Sequence, residues 1–188
     1  MLSRLALAFF AALALALPAA AQDEAALIQK RNQVREMARD ALASLYEIQP
    51  GARHVVDHAA GYAVFSTFGI KIFFAGGTTG SGVVVNHRTH RDTFMKMVKV
   101  QAGLGFGASK DRLIFVFETA NALRDFVNQG WDFGGGADAS AMIAQQGGTF
   151  TGAISVFPGV YLYRLTDTGL AASLTLSGTK FFKDTDLH

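Results

Sequence analysis

The chain predicts an α+β fold: an N-terminal amphipathic helix packed on a strongly curved, mainly antiparallel β-sheet that tends toward a barrel, with one further helix between strands. Three observations predict it. Apolar side chains recur at a helical period over residues 23–48. After Gly61 the period changes to two and stays there, with one helical interruption. Glycines are scattered through the strand-like segments, as a bent sheet requires. Helices followed by many strands favour an antiparallel sheet over alternating βαβ units.

The first helix is read from Ala26, Leu27, Val34, Met37, Ala38, Ala41, Leu42, Leu45 and Ile48, which form one stripe. Asp23 and Glu24 suit its start, where the helix dipole favours negative charge, and Pro50-Gly51 ends it. Arg31, Arg35 and Arg39 recur every four residues on the opposite face. A short helical piece over 52–60 ends at Gly61. Tyr62 to Phe68 and Ile70 to Phe74 read as strand. Gly76, Gly77, Gly80 and Gly82 predict a turn around Thr78-Thr79, with a new strand from Val83.

Residues 86–91 form a basic loop and 94–104 a long strand. Leu113 to Phe117 is continuously apolar, as in a strand buried on both faces. Thr119 caps a helix reaching Asn128, with Ala122, Leu123, Phe126 and Val127 as its buried side and Gly130 beyond it. The end is all strand: 131–143, a turn at Gly147-Gly148, then 150–157, 160–165 and 170–182. In the last of these Leu170, Ala172, Leu174 and Leu176 share one face.

The N-terminus has its own pattern. A short basic start with Arg4, an uncharged apolar run from Leu5 to Leu17, Pro18 and Ala19 to Ala21 make a secretory signal peptide, with cleavage expected between Ala21 and Gln22. The rival is a membrane anchor, but the run is at the short limit for a span. The expected organisation is therefore a signal peptide over 1–21 and one domain over 22–188, helical to residue 60 and β-rich from 61. That length buries about 70% of its unfolded surface without covalent staples.

Composition excludes several classes. No cysteine means no disulfide framework, thiolate zinc site or cysteine nucleophile. A net charge of +2 from 17 basic and 15 acidic residues gives no broad field for nucleic acid. Only 3 prolines and 50% apolar residues argue against disorder.

The motifs that tempt a catalytic reading are weak. Gly103, Gly105 and Ala108 fit a dinucleotide fingerprint variant, but a strand follows where a helix is required. There is no Gly-Lys-Ser/Thr loop. His54 and His58 share a helix face, yet Val55 stands where a zinc-protease glutamate would be, so a solvated pair is the simpler reading. His87 and His90 lie in the basic loop and make a weaker ligand set still. Ser140 and Ser155 lack a nucleophile elbow, and Asp138 has no partnered carboxylate at a recognisable spacing.

The basic groups remain. Arg31, Arg35 and Arg39 form one set, and Arg88, Arg91, Lys96 and Lys99 another. Beside an apolar helix face they suit an anionic membrane surface, which attracts each basic residue by about 1 kcal/mol. Glu24, Glu36 and Asp40 offer the alternative of an ordinary ion-paired helix face.

Five ordered blocks carry a family resemblance: GYAVFSTFGIK at 61–71, GGTTGSGVVV at 76–85, MVKVQAGLGFGAS at 97–109, LIFVFETANALRDFVNQGWDFGGGADAS at 113–140 and GAISVFPGVYLYRLTDTGLAASLTLSGTKFFKD at 152–184. Collinear over residues 35–188, they resemble the SYLF family. This lipid-binding domain occurs in eukaryotic membrane-trafficking proteins and in exported bacterial proteins.

The resemblance implies lipid binding rather than catalysis, with no cofactor and no metal. Eukaryotic relatives bind phosphoinositides and some bind actin; an exported protein would instead meet phosphatidylglycerol, cardiolipin or other envelope lipids. The family's N-terminal amphipathic segment is implicated in membrane contact, and residues 27–48 occupy the matching place. The expectation is an exported, non-catalytic protein contacting anionic phospholipid, periplasmic or secreted, with Arg31, Arg35, Arg39, Arg88, Arg91, Lys96 and Lys99 as lipid contacts. The alternatives are an envelope structural protein that binds a protein partner and, further off, an enzyme.

Overall fold

The computed structural model describes residues 19–102, 106–134, 149–150, 152–171 and 175–188. Residues 1–18 of the predicted leader, the G-x-G pair Gly103 and Gly105, most of the 131–143 strand with Asp138 and Ser140, and the Gly147-Gly148 turn lie outside them.

Helix α1 (Ala19–Ile48) and helix α2 (Gly51–His58) come first, followed by strands β1 (Gly61–Ile72), β2 (Ala75–Asn86), β3 (Arg91–Ala102) and β4 (Gly107–Phe117). Helix α3 (Ala120–Gln129) then precedes β5 (Trp131–Phe133), β6 (Thr149–Phe150), β7 (Ala153–Phe157), β8 (Val160–Thr166), β9 (Gly169–Ala171) and β10 (Thr179–Lys183). All pair antiparallel in one sheet of order β5-β10-β3-β2-β1-β4-β8-β7-β6, with β9 on β8.

The sheet curls into a half-barrel. Strands β5 and β7 lie near opposite ends of the strand order. Even so, Trp131 and Phe133 of β5 reach Phe157 of β7, with ring centroids 4.8 and 5.8 Å apart. Helix α3 packs into the concavity. Its Phe126 touches the rings of Phe65, Phe115, Phe117, Trp131 and Phe181. Burial of each such ring stabilises by roughly 1.5–3 kcal/mol. Tight curvature needs a strand position without a side chain. Gly82 supplies it: a Cβ there would lie 2.3 Å from the Val64 carbonyl oxygen and 2.5 Å from the Phe65 ring.

Helix α1 lies across the convex face. Ala38, Ala41, Leu42 and Leu45 are buried against Val64, Val83, Phe94, Ile114, Val116, Tyr163 and Leu165. The stripe at i, i+3, i+4 and i+7 is therefore committed to the sheet. Leu113 to Phe117 is buried throughout because helices cover both faces of β4, as its unbroken apolar run predicts. Thr119 caps α3 by accepting from the Ala122 amide at 3.2 Å.

Two local expectations are corrected. The glycines at 76–82 lie inside β2, and the turn falls earlier, at Phe73-Phe74, between paired Ile72 and Ala75. Residues 170–182 do not make one strand. Strand β9 ends at Ala171, residues 177–178 turn with Gly178 at φ 73°, and β10 starts at Thr179; Ala172 and Leu174 lie outside the described residues.

Candidate functional site

Strand parity sorts every side chain to one face. On β1, odd positions such as Ala63 and Phe65 enter the concave core, while Val64 packs under α1. The register extends this across the sheet. On the convex face, beyond the helix, lies the row Arg112–Ser66–Ser81–Lys96. Next comes Lys110–Phe68–Thr79–Val98–Lys180, then Ile70–Gly77–Val100 and Ile72–Ala75. Phe68, Ile70, Ile72, Val98 and Val100 are all exposed. The hairpin turn adds Phe73 and Phe74, and Phe106 packs on Phe73 with ring centroids 4.6 Å apart. The convex face thus ends in an apolar tip behind a belt containing Arg112, Lys110 and Lys180. Lys180 is also paired with Asp132 at 3.2 Å.

The turn itself is unusual. In a two-residue hairpin a positive φ at the first position is a glycine preference, yet Phe73 holds φ 55° while exposed. A bulky residue in that region costs of order 1–3 kcal/mol.

On the concave face the same rows form a cavity of about 870 Å³. Its central row is Ser109–Gly69–Thr78–Lys99–Thr179, flanked by Lys71 and Gln101 on one side and by Asp111, Thr67 and Met97 on the other. Arg164 Nη2 donates to Asp111 Oδ2 at 3.0 Å, and Thr67 Oγ1 donates to the Asp111 carbonyl at 3.1 Å. Lys99 Nζ donates to the Thr175 carbonyl. Burial pushes the Lys99 ammonium below the ordinary lysine range; nearby Arg164 adds to the shift and Asp111 opposes it.

The seven basic residues singled out in the sequence do not converge. Arg31 Nε donates to the Leu187 carbonyl at 2.8 Å, and Arg35 pairs with Asp92 at 2.6 Å beneath Phe94. Lys96 bridges Asp184 at 2.8 Å and Asp186 at 2.6 Å. These three clamp the 3₁₀ turn Thr185–Leu187 and the first half of β3 to α1. Arg39 is exposed on the helix, and Arg88 and Arg91 are exposed at the β2–β3 hairpin. Lys99 and Arg91 share the parity of the concave side, but at opposite ends of β3, Arg91 lying beside Leu123 and Val127 of α3. The His54 and His58 rings lie tilted at 39° with centroids 4.0 Å apart, and His58 Nδ1 lies 2.8 Å from the His54 carbonyl. No group of three His, Asp or Glu side chains converges among the described residues. No helix among them is long and apolar enough to cross a membrane.

The apolar tip and the polar cavity escaped sequence reasoning. Their signal was present as the alternation Phe68, Ile70, Ile72 against Gly69 and Lys71. What was missing was the path of α1, which leaves that end of the sheet uncovered.

No family model matches the chain. It is 29% identical over 159 residues to beta cell expansion factor A of Aeromonas veronii, a similarity that takes in 85% of this chain and 59% of the relative. The chain thus spans about three-fifths of the length of that curated relative.

Proposed function

We propose that this chain is an exported, non-catalytic protein of the SYLF type that docks on anionic phospholipid surfaces. One observation carries the reading: an uncovered apolar tip, Phe68 to Phe74 with Val98, Val100 and Phe106, standing behind a basic belt. Folded monomers rarely leave a contiguous apolar surface of this kind without a use. From the Lys110 row to the turn at Phe73 is five residues, about 16 Å of strand. Interfacial elements sink roughly 5–10 Å, so the turn and the Ile70–Val100 row would enter the acyl boundary. Lys110, Lys180 and Arg112 would stay at headgroup level, each attracted by about 1 kcal/mol.

The mode differs from the one the sequence suggested. Helix α1 holds its stripe against the sheet, so the strand tip takes the membrane role. Family membership is supported by the five collinear blocks, the curled sheet with its N-terminal helix, and the similarity over most of the chain. Export is supported by the leader pattern: intact mass should place the N-terminus of the secreted form at Gln22, and an uncleaved Met1 form would contradict it.

The test is flotation with phosphatidylcholine vesicles and with vesicles containing phosphatidylglycerol or cardiolipin, at low and high salt. Binding to the anionic vesicles, weakened by salt, is expected. Binding to none of them would remove the lipid reading and move the tip to a protein partner.

A further inference from the structure

We propose that the concave cavity is a binding site for a phosphate-bearing small molecule or headgroup, held by Lys99 and Lys71 and by the hydroxyls of Thr78, Ser109 and Thr179. This site lies on the opposite face of the sheet from the apolar tip, and it stands or falls independently of the membrane reading.

Charge comes first. Lys71, Lys99 and Arg164 line the cavity against one carboxylate, Asp111, which is already paired with Arg164. Lys71 and Lys99 have no ion pair among the described residues. Two surplus positive charges match the −1.5 to −2 that a phosphate monoester carries near neutral pH. Holding the Lys99 ammonium half-buried beside Arg164 is unfavourable unless an anion joins it.

Hydrogen bonding comes second. Thr179 is 1% exposed and lines the cavity, and its Oγ1 has no partner among the described residues. Native proteins rarely leave such a group unsatisfied. Lys99 has three donors and spends one on the Thr175 carbonyl, leaving two for a ligand.

Shape comes third. Gly69 opens the central row, because a Cβ there would fall 2.4 Å from Thr78 Oγ1 and 2.9 Å from Ser109 Oγ. The volume lies within the usual range of roughly 300–1,000 Å³ for small-molecule sites. A bare phosphate would leave most of it empty. Met97, Leu113 and Leu176 supply an apolar floor for the carbon part of an ester.

The experiment uses protein expressed from the full sequence and three probes at low ionic strength: inorganic phosphate, sn-glycerol 3-phosphate, and dihexanoyl phosphatidic acid, a monoester headgroup, below its micelle concentration. Binding is followed by calorimetry and by the amide shifts of Thr78, Ser109 and Thr179. Saturable one-to-one binding of at least one probe is expected. Lys99→Gln should weaken it at least tenfold, Lys99→Arg should retain it, and Thr179→Val should weaken it with the fold intact. Lys99→Gln removes a confined charge next to Arg164, so its melting temperature should not fall. Binding of glycerol 3-phosphate would identify a soluble phosphate ester as the ligand class; binding of the short-chain lipid alone would identify a headgroup. No saturable binding of any probe, or binding that Lys99→Gln leaves within threefold, would overturn the assignment. Phe73→Gly at the tip should leave it unchanged, which separates failure here from failure of the membrane reading.

Discussion

Replacing Phe73 by glycine should separate stability from membrane binding. In most proteins, deleting a phenylalanine destabilises the fold. Here the side chain is 59% exposed and its backbone sits at φ 55°, so the fold gains little from it. Glycine relieves a left-handed conformation that costs an L-residue roughly 1–2 kcal/mol. It also loses about 0.5–1 kcal/mol to unfolded-chain entropy, along with the contact to Phe106. The unfolding free energy should therefore stay within about 1 kcal/mol of the parent.

The membrane side of the ledger is different. Phe73, Phe74 and Phe106 are 59%, 68% and 71% exposed, together about two whole side chains. Full burial of one is worth roughly 1.5–3 kcal/mol, so each tip ring contributes about 1–2 kcal/mol on insertion. That is about 5–30-fold in the partition coefficient per ring. Replacing all three should lose about 3 kcal/mol or more, on the order of 100-fold. The assay is a vesicle titration with phosphatidylglycerol vesicles beside urea unfolding of each variant. Tip variants that bind vesicles as the parent does, or that lose binding only in proportion to lost stability, would refute the reasoning.

Other predictions concern the frame. Arg35→Glu should destabilise by about 1–2 kcal/mol, because it sets a carboxylate against half-buried Asp92, while vesicle binding by the remaining folded protein stays within twofold. Denaturant midpoints and flotation together check this, and a selective loss of binding would return the membrane role to α1. Gly82→Ala should cost about 3 kcal/mol or more, read as a lower melting temperature, since no ordinary adjustment clears a backbone oxygen at 2.3 Å. The Lys96 clamp should loosen at both pH extremes. Hydrogen bonds to Asp184 and Asp186 raise the Lys96 pKa above 10.5, so that contribution is complete below 10.5 and fades as pH rises through the higher folded value. The Lys96 hydrogen bond lowers the Asp186 pKa below 3.8, so its contribution holds above 3.8 and fades as pH falls through the lower folded value. The protection of the Leu187 amide, its exchange rate relative to the intrinsic rate at the same pH, should fall in those two windows and hold between them.

Legibility followed the range of the interactions involved. The run Leu113 to Phe117, the Thr119 cap and the stripe of α1 were readable because each is a local pattern with a local cause. The glycines of β2 misled because glycine ordinarily breaks strands. At Gly82 it is required inside one, and the reason is the Phe65 ring on the neighbouring strand. The break between β9 and β10 was hidden because alternation runs through Leu176, and only the positive φ of Gly178 marks the turn. The partners of the basic residues were hidden for the same reason. Arg35 finds Asp92 57 residues away, and Lys96 finds Asp186 90 residues away. Spacing along the chain shows that Lys96 and Lys99 are close in sequence; strand parity puts them on opposite faces of the sheet. The tip rings were visible as residues, yet their exposure depends on where the helix crosses.

The most direct test of the membrane account uses the absence of native cysteine. A single cysteine placed at Phe74, at Phe106 or at Glu36 on the exposed side of α1 carries an environment-sensitive fluorophore, and each labelled protein is mixed with phosphatidylglycerol vesicles. The account predicts a blue shift, with quenching by lipid-borne quenchers, at 74 and 106 and an unchanged spectrum at 36. A shift at 36 with 74 and 106 still in water would contradict it.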